Sequence, residues 1–117
     1  MKTITPDFAT ELIDFAPPGG SLAAALGRTQ LEGTVAIYNM LARNRCAYLA
    51  DEVGMGKTYI ALGVMGLLRY ANPKARVLII APRENIQLKW RKELLNFARL
   101  NWKHRDNRVR SVQDEPV

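Results

Sequence analysis

The chain has 117 residues, enough for one small domain that buries roughly two-thirds of its unfolded surface in a single core. With 48% hydrophobic and 24% charged residues it has the composition of an ordinary globular domain, which excludes a disordered or fibrous chain. A net charge of +6 suits a polyanionic partner such as nucleic acid, and the lone cysteine, Cys46, excludes an internal disulfide.

Residues 1–20 are expected to form a loose leader. Phe8, Leu12 and Phe15 suit a short amphipathic turn, and Pro17-Pro18-Gly19-Gly20 then breaks the chain. Asp7, Glu11 and Asp14 interrupt any apolar run there, so the segment is not a secretory signal. Ser21 caps a short helix expected to end at Gly27. From residue 30 to 43, Leu31, Val35, Tyr38 and Leu41 recur at steps of four and three, which is one face of a helix.

Residues 46–50 are apolar on both faces and are expected to form a short buried parallel strand, with Cys46 a small buried hydrophobe. A glycine-bearing loop leads into a helix over 57–71, with Ile60, Val64, Leu67 and Leu68 on one face and Asn72-Pro73 closing it. A second buried strand is expected over 76–81, where Val77-Leu78-Ile79-Ile80 is fully apolar and Pro82 ends it. From 84 to about 100 a further helix places Ile86, Trp90, Leu94 and Phe97 inward, with Lys89, Arg91, Lys92 and Glu93 mostly toward solvent. Residues 101–117 form a charged tail. The densest basic segment, Arg99, Lys103, His104, Arg105, Arg108 and Arg110 with Trp102 among them, is expected to be a solvated surface or fraying tail, with contact to DNA phosphates as the alternative. No apolar region approaches the roughly 20 residues of a membrane span. An intracellular, membrane-free protein is expected.

Strand, loop, helix, strand, helix is the grammar of a parallel-sheet α/β domain. Two strands alone leave both sheet edges unpaired, so this domain reads as unfinished on its C-terminal side.

The chemistry lies in Asp51-Glu52-Val53-Gly54-Met55-Gly56-Lys57-Thr58, between the first strand and the helix after it. Glycines let the backbone curl so that successive N–H groups converge on phosphate oxygens, and the helix N-terminus adds partial positive charge. Lys57 supplies a full charge to the β- and γ-phosphates, and the Thr58 hydroxyl is placed to ligate Mg²⁺. The full phosphate-loop pattern asks for glycine where this chain has Asp51; the remaining positions are intact.

This octapeptide resembles motif I of the Swi/Snf-like helicase ATPases, whose phosphate loop begins with Asp-Glu. Arg28-Thr29-Gln30-Leu31-Glu32-Gly33 looks like the family's Q motif, and Leu78-Ile79-Ile80-Ala81-Pro82 like its motif Ia. The resemblance covers about residues 29–97. It implies a P-loop NTPase fold, a partial RecA-like lobe of parallel strands flanked by helices over residues 21–100. It also implies ATP and Mg²⁺, and double-stranded DNA as a translocation track. Gln30 would contact adenine, residues 51–58 would hold the triphosphate, Thr58 the metal, and the loop at Pro82-Arg83 would face DNA, with Arg83 the candidate contact.

Such motors also need an Asp-Glu motif on a later strand and a second lobe with arginine fingers. Asp114-Glu115 follows no apolar run and reads as tail. As given, the chain is expected to bind ATP·Mg weakly and hydrolyse it negligibly, and to need the remainder of a motor as partner. Two alternatives stay open: a non-catalytic nucleotide- or DNA-binding piece, and a P-loop ATPase of another branch. The Gln30 and Pro82 matches count against the latter.

Overall fold

The structure is a computed structural model that describes residues 2–15, 24–49 and 57–103. Four helices appear among them: α1 (Pro6–Thr10), α2 (Ala24–Asn44), α3 (Lys57–Ala71) and α4 (Glu84–Leu100).

Short as it is, α1 is well started. Pro6 occupies its first turn, where a missing N–H costs nothing, and the Thr5 hydroxyl accepts the Phe8 N–H at 3.2 Å. Asn39 of α2 holds the preceding backbone from both sides: its Oδ1 accepts from the Ile4 N–H at 2.8 Å and its amide donates to the Ile4 carbonyl at 2.9 Å.

The expected stop at Gly27 does not occur, because α2 runs through it to Asn44. One interior glycine costs a helix only about 1 kcal/mol. Burial of Leu31, Thr34, Val35 and Tyr38 along one face outweighs that. The helix ends where Arg45 turns left-handed (φ 61°) and returns its N–H to the Leu41 carbonyl at 2.8 Å.

α3 and α4 match the expected spans, and the residues the spacing marks face inward, but α3 also buries Leu62, which lies off the marked face. Ile60, Val64 and Leu67 of α3 and Phe97 of α4 are buried, and Trp90 and Leu94 are half-buried against the core. Phe97 is the aromatic centre, with the rings of Phe15, Tyr59 and Trp102 at 6.1, 6.3 and 6.4 Å. Residues 2–15, set apart in the sequence as a leader, contribute Ala9, Leu12, Ile13 and Phe15 to the same core.

Gly63 and Gly66 let neighbouring groups approach α3 closely. A Cβ on Gly63 would stand 2.8 Å from Thr34 Cγ2, and one on Gly66 would stand 2.7 Å from the Trp102 ring. Trp102 is held there by a clasp between the two flanks of the described chain. Ile13 and Trp102 form an antiparallel bridge, the Asp14 N–H donates to the Asn101 carbonyl, and the Lys103 N–H donates to the Leu12 carbonyl, both at 2.8 Å.

The expected parallel-sheet α/β architecture, the partial RecA-like lobe, is overturned: the described residues are helical and contain no strand. Residues 46–49 are irregular, with Cys46 exposed and Tyr48 83% exposed. Residues 76–80 run without a ladder, leaving Leu78 83% and Ile80 87% exposed. Strand preference is mostly a preference for packing against neighbouring strands. Neither run has such a neighbour among the described residues, and the core closes by helix-on-helix packing instead.

Candidate phosphate site at the start of α3

Residues 51–56, which include Asp51, Glu52, Val53, Gly54, Met55 and Gly56, lie outside the described residues. Lys57 and Thr58 are described, and they open α3. Both side chains are half-buried. The first turn of α3 carries no acidic residue of its own, and the start of a 15-residue helix presents partial positive charge. An ammonium, a hydroxyl and the amides of a helix's first turn form a donor set suited to a phosphate and its metal. That donor set fits a nucleoside triphosphate with Mg²⁺.

One residue beyond Thr58, the Tyr59 hydroxyl donates a hydrogen bond to the carboxylate of Glu93 on α4. Burial first, then this bond and the negative charge of Glu93, push the Tyr59 pKa up to about 12. Glu93 is thus half-buried rather than turned to solvent, and it ties α4 to the first turn of α3. The signal available in the sequence was its position between Trp90 and Phe97, on the inner side of α4.

Gln30 is on the core side of α2, only 2% exposed, and its Oε1 has no hydrogen-bond partner among the described residues. Its backbone carbonyl accepts the Thr34 hydroxyl at 2.8 Å. Arg83 is exposed and directly precedes α4, in extended conformation, with its carbonyl accepting the N–H groups of Ile86 and Gln87 at 3.1 and 3.0 Å.

An apolar groove of about 630 Å³, lined among others by Phe8, Tyr38, Leu67 and Tyr70, lies at the other end of α3. At 1.5 Å per residue that end is roughly 15 Å from Lys57, so the groove is separate from the phosphate site. No group of three His, Cys, Asp or Glu residues among the described residues could hold a metal unaided. No described helix is long and apolar enough to cross a membrane.

A family model described as "Type III restriction enzyme, res subunit" (ResIII) matches residues 24–115, most of the chain. No curated protein and no solved structure gives a match. The match reaches the helicase level and does not single out the Swi/Snf subfamily. The matched span runs from the first residue of α2 through the phosphate-loop motif, α3 and α4, and on that coverage the chain belongs to the ResIII family of helicase superfamily 2, whose ATPase domains generally use ATP and Mg²⁺.

Proposed function

We propose that this chain is the ATP-binding portion of a DNA-dependent, helicase-type ATPase that translocates on double-stranded DNA, of the Swi/Snf-like kind. The carrying observation is the placement of Lys57 and Thr58 in the acid-free first turn of a long helix, inside the family match. The Asp-Glu opening of the motif at Asp51-Glu52 favours the Swi/Snf-like subtype.

In this reading the Lys57 ammonium would hold the β- and γ-phosphates, the Thr58 hydroxyl would ligate Mg²⁺, and residues 51–56 would belong to the same triphosphate site. Bound Mg²⁺ neutralises phosphate charge. The Tyr59–Glu93 bond holds the helix that carries both side chains. Gln30 reads adenine, and Arg83 meets the DNA backbone. Turnover requires an acidic motif and an arginine finger, the latter worth about 10³–10⁵ in rate in related systems. In this reading the chain works with the rest of a motor in an intracellular, DNA-containing compartment.

Titration calorimetry of ATP·Mg against wild type and Lys57→Ala tests this. Measurable binding that the substitution removes supports the reading, and binding indifferent to Lys57 sinks it.

A further inference from the structure

The charges of α4 are sorted by face. Its inward side is set by Ile86, Trp90, Leu94 and Phe97, half-buried or buried. At 100° per residue, Asn85, Lys89, Lys92, Asn96 and Arg99 fall in one sector of about 80° on the opposite side. All are exposed except the half-buried Asn96. The two carboxylates of α4, Glu84 and Glu93, lie outside that sector, with Glu93 engaged by Tyr59. The stripe is therefore cationic without internal neutralisation.

We infer that this face of α4 lies along the phosphate backbone of double-stranded DNA, with Lys89, Lys92 and Arg99 as its contacts. The inference rests on the nucleic-acid reading above and adds a surface to it. From Lys89 to Arg99 the helix advances about 15 Å, the rise of roughly four nucleotides of one strand. The stripe offers ammonium, guanidinium and amide groups and no aromatic ring. Trp90 points inward, and Trp102 packs against Gly66 and Phe97. Surfaces that take single strands stack bases on aromatic side chains. A stripe lacking them suits a duplex, whose bases stay paired and whose phosphates alone are presented. Contacts of this kind position without reading sequence.

The test is fluorescence anisotropy of a labelled duplex with the full chain, across a salt series. The variants are Lys89→Gln/Lys92→Gln/Arg99→Gln and a control with equal charge loss, Lys2→Gln/Arg43→Gln/Lys74→Gln, each checked for helicity. Each lost phosphate contact lowers the slope of log K against log salt by about 0.9. The stripe variant is expected to lose a slope of about 2.7 and to bind more than roughly tenfold more weakly at 50 mM salt, while the control keeps most of both. Equal losses in the two variants would reduce the effect to bulk charge and overturn the inference, as would a wild type that binds no duplex. Tighter, stripe-dependent binding of oligo-dT or polyglutamate would replace the duplex by a single strand or an acidic protein, and also overturn it. A fluorescent ATP analogue, titrated in parallel, separates the two readings. Stripe-dependent duplex binding without nucleotide binding would leave the surface standing and remove the ATPase reading.

Discussion

Tyr59 and Glu93 are joined by a hydrogen bond that links the first turn of α3 to the middle of α4, and it raises a tyrosine that burial has already raised. The folded pKa of about 12 lies above the unfolded value near 10, so the stability tied to the neutral phenol, from burial first and then this bond, is fully present below pH 10 and is lost as pH climbs toward 12. Melting temperatures measured from pH 8 to 11.5 are expected to fall more steeply for wild type than for Tyr59→Phe. Parallel curves would show that the link contributes nothing.

Glycine substitutions in α2 and α3 are expected to diverge. Gly63→Ala places a Cβ 2.8 Å from the fully buried Thr34 and 3.1 Å from Phe15 Cζ, with nowhere for either to move. Overpacking of about 1–3 kcal/mol against a helix gain of about 1 leaves a net loss of up to about 2 kcal/mol. Gly33→Ala meets only the far end of the Ile60 side chain, at 3.2 Å, and should gain up to about 1 kcal/mol. Urea denaturation of the pair checks the sign of each.

Arg45 occupies a left-handed conformation that costs a side-chain-bearing residue about 1–2 kcal/mol. Arg45→Gly is expected to raise stability by about 1 kcal/mol without altering ATP binding. A lowered denaturation midpoint would mean that the arginine side chain outweighs the strain.

Gln30→Met removes a buried amide whose Oε1 is unpaired among the described residues. An unsatisfied buried acceptor costs about 1–3 kcal/mol, so the free variant should melt higher. If Gln30 also reads adenine, the same variant loses preference for ATP over GTP in competition titrations. A variant that melts lower would mean the amide is satisfied in the folded chain.

The helical part of the fold was legible where the apolar spacing was long and capped. α3 and α4 emerged with their boundaries and inward faces because Asn72-Pro73 and Pro82 punctuate them. That no sheet would form among the described residues was not legible, since Val77-Leu78-Ile79-Ile80 carries strand preference and nothing in it says whether a neighbouring strand will be there. Gly27 misled because a single glycine is a weak stop when the residues after it are buried. Phe8, Leu12 and Phe15 carried a short helical spacing, but Ile13 carried none, and the segment is held to the core by a long-range bridge after a five-residue helix rather than by a long repeating face. At the site, the motif placed Lys57 and Thr58 at a helix start. The inward position of Glu93 and the burial of Gln30 depend on tertiary packing, which spacing alone did not resolve.

The bridge between Ile13 and Trp102 has a kinetic consequence. Asp14 and Asn101 are separated by 87 positions, against 35 for the Ile4–Asn39 pairing. Joining the more distant pair in a flexible chain costs about 0.8 kcal/mol more in closure entropy. The clasp therefore forms late, after helix pairing has drawn its two halves together, and Trp102 fluorescence should report the last step of folding rather than the first.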